Sequence, residues 1–291
     1  MVNAEFIIGE INMIVSEKRT VKITDPEIFM HEEDKKALQA LKKIPLFDKI
    51  CSKVIEVFNE SYMKIIDMSS KIRINSEQLP RIYNMVVDIC RKLSIDIPDL
   101  YLELNREPNA YTYGDKKATI TITSGLLECM NDDELYAVLA HECGHIACKH
   151  VLYQTIGSII LDTSLFGAGM LTGNSFLVSA ISLPLKIAFY YWMRCSEFSA
   201  DRAATVCCGD SECVVRTMMR LAGGTVHFND EIDIDLFVKQ AQDYEDIADE
   251  NLWNKTLEFY ALHKSSHPLL SVRASESRRW CASDDFAKIM S

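Results

Sequence analysis

The spacing of apolar side chains changes along the chain, and each spacing predicts a type of element. Residues 1–75 indicate helices joined by polar turns: residues 34–43 have helical composition, and Pro45 closes that segment. Over residues 76–93 apolar positions recur every three or four residues, which is typical of an amphipathic helix. Those positions are Leu79, Ile82, Val86, Val87 and Cys90.

After Pro98 the helical pattern gives way to alternating apolar and polar residues, which is typical of half-buried strands. Three short strands are predicted, at residues 100–104, 110–113 and 118–123, with a turn signal at Gly114. Three strands following one helix predict a small twisted sheet, placed beside the helix that comes next.

That next helix is predicted to begin at Asn131 and to run to about Tyr153. Asn131 and Glu134 have the spacing of a capping box, and Asp132 and Asp133 suit the positive end of a helix. The sequence HECGH lies within this segment.

Composition narrows the class of protein. Of the 291 residues 48% are hydrophobic and 25% are charged, which is typical of a folded protein with one large or two modest domains. A net charge of −11 argues against a nucleic-acid partner. Ten irregularly spaced cysteines and a start without a secretory leader pattern favour a reducing, cytoplasmic location.

The two histidines of HECGH have the spacing of metal ligands. Four positions on a helix place His141 and His145 about 40° apart around the axis and about 6 Å apart along it. Two imidazoles on one face at this separation suit zinc, and Glu142 beside them suits a residue that holds a reacting water. His150 lies five positions after His145, on another side of a continuous helix, and is therefore not predicted to be a ligand.

A catalytic zinc site needs a third protein ligand, and SEFSADR supplies a candidate in Glu197. Asp201 lies four positions later, so both carboxylates would share one helix face. One can bind the metal while the other accepts the free N–H of a ligating histidine. Each motif alone also fits a solvated helix face, but the apolar surroundings of HECGH and the two motifs in sequence favour a metal site.

HECGH, SEFSADRAA and the later SSHPLLSVR together resemble the zinc metallopeptidases that include HtpX and the CAAX prenyl proteases, which are gluzincins. The resemblance covers residues 76–291 and includes NAYTYG at residues 109–114. It implies an α+β, mainly α fold: a zincin-like metallopeptidase domain with a small twisted sheet beside an HExxH active-site helix, preceded by the N-terminal helical region at 1–75.

The resemblance assigns roles to matching positions. His141, His145 and Glu197 would bind one zinc ion per chain, and Glu142 would be the general base and acid. Asp201 would not bind the metal, but its carboxylate would hold the ring of His141.

Further roles also rest on the resemblance. His267 would help to stabilise the oxyanion, and Arg273 would support the site electrostatically. An extended peptide would lie along the edge strand at Asn109, Ala110 and Tyr111, held by backbone hydrogen bonds.

An uncharged stretch at residues 163–185 raises the question of a membrane hairpin, because HtpX-like proteins have membrane spans in this part of the chain. Polar residues at 172–175 interrupt the stretch, and Asp162 would fall inside the membrane. The favoured interpretation is a segment that folds over the active-site helix, as in soluble relatives. Membrane association through 151–193, with the peptidase domain facing the cytosol, is the alternative.

The sequence therefore predicts a zinc-dependent metalloendopeptidase that acts on peptide or protein substrates. The alternative is a latent or inactive zinc-binding protein that serves as a peptide-binding or regulatory module. In that case residues 1–75 or 151–193 would block the site.

Overall fold

The computed structural model describes residues 21–57, 60–114, 116–161, 183–223, 231–249 and 269–291. Its mainly helical α+β architecture confirms the predicted fold class. The first part of the described chain contains a short 3-10 helix at Pro26–Ile28, then α1 Glu32–Lys42, α2 Phe47–Val57, α3 Glu60–Ser70, β1 Ile72–Arg73, α4 Pro80–Leu93, β2 Asp99–Glu103, β3 Ala110–Tyr113 and β4 Thr119–Thr123. The remainder contains α5 Ser124–Cys129, α6 Asp132–Ala147, α7 Val151–Leu161, α8 Leu183–Cys208, α9 Glu212–Leu221, α10 Ile234–Asp249, α11 Leu270–Cys281 and α12 Asp284–Met290.

Within the described residues, the sheet has four strands in the order β1-β2-β4-β3. β2 and β4 are parallel, whereas β1 and β3 run antiparallel to their neighbours. The three predicted strands are confirmed within one residue at their ends, and β3 lies at an edge, as expected. The two-residue strand β1 was not predicted, because Ile72–Arg73 is too short to show an alternating pattern.

The pleat of the sheet decides which side chains reach the helices. Ala110 pairs with Ile122 and Thr112 pairs with Ile120, so these four side chains share one face. Ile120 and Ile122 are each 1% exposed and pack in the main core with α6. The side chain of Thr112 is therefore directed to the same helix.

The capping box predicted for α6 is present: the Asn131 side chain accepts from the backbone N–H of Glu134, and the Glu134 carboxylate accepts from that of Asn131. This pair satisfies two N–H groups that no helical carbonyl can reach and places Asn131 at the helix start. The predicted end near Tyr153 is wrong. α6 ends at Ala147, because Lys149 adopts a left-handed conformation that starts a separate helix, α7.

Small residues allow α6 and α8 to pack closely. A Cβ atom at Gly144 would lie 2.7 Å from the Cβ of Ala203 and 3.1 Å from the Cα of Ala200. These contacts are shorter than ordinary van der Waals distances, so only glycine fits within HECGH at this place. The close approach brings Glu197, near the middle of α8, beside the two histidines of α6.

The predicted helix at 76–93 begins later than expected, at Pro80. The preceding residues form a turn in which the Asn75 side chain accepts from the backbone N–H groups of Glu77 and Gln78. Proline then takes the first helical position, where its missing N–H costs no hydrogen bond.

A second hydrophobic core joins the N-terminal helices to the apolar segment. Leu41 of α1 and Phe47 of α2 pack with Ile156 of α7 and with Phe189 and Trp192 of α8. The described ends of the 151–193 stretch thus fold against the protein. No helix in the described ranges has the length and apolar character to span a bilayer. Residues 162–182, which contain most of the uncharged stretch, lie outside the described residues.

The predicted division into residues 1–75 and 76–291 stays a prediction. β1 at Ile72–Arg73 pairs with β2, and α1 packs against α8, so both predicted regions share the sheet and the cores. Residues 1–20 lie outside the described part of the chain.

Candidate metal centre

Three buried side chains from two helices meet at one point. The Nε2 atoms of His141 and His145 lie 3.2 Å apart. Of the two carboxylate oxygens of Glu197 on α8, Oε2 lies 3.5 Å from Nε2 of His141 and Oε1 lies 3.3 Å from Nε2 of His145. All three residues are less than 10% exposed. The structure thus brings together the three residues that the sequence proposed as ligands.

These distances fit a single tetrahedral ion. Atoms bound at about 2.0–2.2 Å to a tetrahedral zinc lie roughly 3.3–3.6 Å from one another. The two separations measured from Nε2 of His145, 3.2 Å to Nε2 of His141 and 3.3 Å to Oε1 of Glu197, are close to that geometry. Two imidazole nitrogens and one carboxylate oxygen are also the donor types that zinc prefers. Among the described residues, this is the group of histidine, cysteine and acidic side chains that could hold a metal ion.

Asp201 and Arg273 contact the side chains of the cluster and hold them in place. Asp201 Oδ1 lies 2.8 Å from Nδ1 of His141, so that ring donates through Nδ1 and its Nε2 lone pair faces Glu197. Arg273 on α11 donates twice to Asp201, from Nε and Nη2, at 2.7 Å each. Its Nη1 lies 2.8 Å from Oε2 of Glu197. One guanidinium therefore fixes both carboxylates.

The pKa values of these groups are shifted by burial and by the charges of their neighbours. Burial lowers the pKa of His141, but Glu197 and Asp201 outweigh burial and raise it to about 10. Burial raises the pKa of the Glu197 carboxyl, while Arg273 and the histidines lower it well below its usual range. For His145, burial lowers the pKa. The carboxylates beside His141 thus favour a positive charge at that ring.

Glu142 lies beside the cluster, outside its three donor atoms. It is 3% exposed, and its Oε2 accepts a hydrogen bond of 2.6 Å from the hydroxyl of Thr112 on β3. This contact directs the carboxylate towards the edge strand. Sequence reasoning did not single out Thr112, although its place in the alternating β3 pattern put it on the helix-facing side.

The predicted edge-strand residues have different surroundings. The backbone of Asn109 bonds with Thr123 of β4, and Ala110 begins β3 on the face towards α6. The side chain of Tyr111 points to the opposite face, where its hydroxyl donates to Glu103 and accepts from Lys71. The side chain of Tyr111 therefore contacts other side chains of the sheet and is directed away from α6.

The two other histidines that the structure describes, His31 and His150, lie outside the cluster. His267 falls outside the described residues, as do His227 and His263. His31 caps α1 and lies 3.3 Å from Glu276. His150 is fully buried and contacts the far nitrogen of His145, a contact that the sequence pattern did not predict.

The HExxH helix beside a mixed sheet and the buried His-His-Glu cluster define a metallopeptidase. The chain belongs to peptidase family M48, whose family model matches residues 76–281. This confirms the resemblance to the HtpX-like zinc metallopeptidases.

Two relatives show how far the similarity extends. The chain is 30% identical over 276 residues to the plastoglobule-localized metallopeptidase 48, chloroplastic, of Arabidopsis thaliana, which covers 92% of this chain and 76% of that protein. It is 26% identical over 169 residues to the protease HtpX homolog 2 of Methanosarcina mazei, covering 52% and 58%. The chain thus spans a little over half the length of the HtpX homologue.

Proposed function

We propose that this protein is a zinc-dependent metalloendopeptidase that hydrolyses internal peptide bonds of peptide or protein substrates. One zinc ion per chain is held by His141, His145 and Glu197. The observation that carries the proposal is that one ligand atom from each of these three buried residues lies within 4.8 Å of the other two. The proposal retains a cytoplasmic location and no nucleic-acid partner, with membrane association through 151–193 as the less favoured alternative.

Zinc, when bound, supplies a Lewis acid that lowers the pKa of water towards about 7 and polarises a peptide carbonyl. Glu142 accepts the proton of the water as its oxygen attacks the carbonyl carbon. The same carboxylate then delivers that proton to the amine as the C–N bond breaks. Thr112 holds the carboxylate in place through its 2.6 Å hydrogen bond. His267 is proposed to share the charge on the carbonyl oxygen.

The substrate is proposed to lie extended beside β3. Asn109 and Thr123 form a hydrogen-bonded pair, so by the alternation of antiparallel ladders the backbone groups of Ala110 and Thr112 turn outwards. These groups could bond to an added strand whatever its side chains are. A cavity beside Glu142 is lined mainly by apolar side chains, among them Leu126, Val138, Val214, Met218 and Leu221. It favours a small apolar substrate side chain next to the cleaved bond.

Digestion of casein with and without a zinc chelator tests the proposal. We expect the purified protein to cleave casein at internal sites, to lose that activity in the chelator, and to regain it when zinc is restored. Mass spectrometry of the fragments distinguishes internal cleavage from trimming of the ends. Peptide binding without turnover, in protein shown to carry zinc, would instead support a binding or regulatory module.

A further inference from the structure

A sharp turn after the active-site helix folds the chain back behind His145. Lys149 has a φ of 59°, and the backbone N–H of His150 donates to the carbonyl of His145 at 2.9 Å. On a continuous helix, His150 would lie about 140° around the axis from His145. The turn instead brings the centroids of the two rings to 5.3 Å.

A chain of buried polar groups starts from this pair. Nδ1 of His145 lies 3.1 Å from Nδ1 of His150. Nε2 of His150 lies 2.9 Å from Oδ2 of Asp34. An N–H on this nitrogen does not point straight at the Asp34 oxygen. Asp34 also accepts hydrogen bonds from Trp192 at 3.0 Å and from Ser199 at 2.6 Å. His150 and Asp34 are both 0% exposed.

The order of these groups fixes the positions of the protons. Nε2 of His145 faces His141 and Glu197, so a metal-binding ring carries its proton on Nδ1. His150 then accepts with its own Nδ1 and presents Nε2–H to the carboxylate of Asp34. The Gln154 amide, whose oxygen and nitrogen exchange by a flip, lies 3.0 Å from the same nitrogen of His145.

A carboxylate without exposed surface is costly to bury unless its partners compensate. Burial raises the pKa of Asp34, but the contacts with His150, Ser199 and Trp192 outweigh burial and lower it. Asp34 is therefore ionised and attracts the Nε2–H of His150. Asp34 thus corresponds for His145 to what Asp201 is for His141. The difference is that the imidazole of His150 lies between Asp34 and His145.

We infer that His150 and Asp34 are positioning residues of the metal centre: together they hold the ring of His145 with Nε2 towards the cation. The inference rests on the proposed zinc site. Asp34 belongs to α1, so the N-terminal helical region completes the support of the metal centre.

The test is zinc affinity, measured by competition with a chromophoric chelator, for the full chain and for His150→Leu, His150→Gln and Asp34→Asn. We expect His150→Leu and Asp34→Asn to bind zinc about 10–100-fold more weakly. His150→Gln should lose less, because an amide can accept from His145 and donate to Asp34. A packing role predicts the reverse order for the two His150 variants, since leucine suits an apolar core better than glutamine.

Glu134→Gln is the matched control, because it breaks a buried ion pair with Arg220, 3.2 Å long, at the other end of α6. It should lower the unfolding midpoint of the metal-free protein without changing zinc affinity. Wild-type affinity in folded Asp34→Asn and His150→Leu would overturn the inference. If His150→Leu does not fold, the isosteric Asp34→Asn decides. A wild-type protein that binds no zinc would instead overturn the proposed metal site itself.

Discussion

Replacing Glu142 with glutamine should reduce peptide hydrolysis by about 100- to 10,000-fold, the usual contribution of a general base and acid. Glutamine keeps the size of the side chain and can still contact Thr112, but it cannot accept the proton of water. Because Glu142 lies outside the three donor atoms, zinc content should stay at the wild-type value. Casein turnover and metal content are measured on the same preparation.

Glu128→Gln serves as the control for this change, since Glu128 is an exposed glutamate that precedes α6. It should leave both activity and zinc content unchanged. An active Glu142→Gln protein would overturn the assignment of the base. Loss of zinc in Glu142→Gln would show that its carboxylate takes part in metal binding.

The second large effect is expected on stability, at Arg273. Its side chain is 5% exposed, and its guanidinium contacts the carboxylates of Asp201 and Glu197. Arg273→Met keeps most of the aliphatic stem and leaves two buried carboxylates without their common partner. Removing one side of a buried ion pair costs about 3–5 kcal/mol. We therefore expect the free energy of unfolding in urea, measured with a chelator present, to fall by about that amount.

Arg278→Met is the matched control on the same helix. Arg278 also contacts two carboxylates, those of Glu212 and Asp235, but its side chain is 26% exposed and Asp235 is 79% exposed. Exposed ion pairs contribute only about 0–1 kcal/mol. Equal stabilities for Arg273→Met and Arg278→Met would contradict the view that Arg273 balances the charge of the buried site.

The parts of the fold that follow from short sequence patterns could be predicted. The spacing of His141 and His145, the spacing of Glu197 and Asp201, and the capping pair at Asn131 each depend on residues within one helix. The alternating strands also depend on local pattern. In each case the side-chain period and the element geometry are sufficient to place the residues.

Features that depend on distant contacts could not be predicted in this way. Asp34 meets His150 across 116 positions of the chain, and nothing near either residue indicates the other. The helix end at Lys149 carries no glycine or proline signal, so the pattern predicted a longer helix. Thr112 was within the predicted edge strand, but its contact with Glu142 depends on how the sheet packs against α6.

Metal analysis tests the central claim most directly: that His141, His145 and Glu197 hold one ion. Wild type, His145→Ala and Glu197→Ala are each loaded with zinc, freed of excess by gel filtration, and analysed by elemental mass spectrometry. We predict about one zinc per wild-type chain, since one tetrahedral site takes one ion. Both variants should carry far less. Wild-type zinc content in folded Glu197→Ala would contradict the account, because the carboxylate that joins α8 to the two histidines would then not be a ligand.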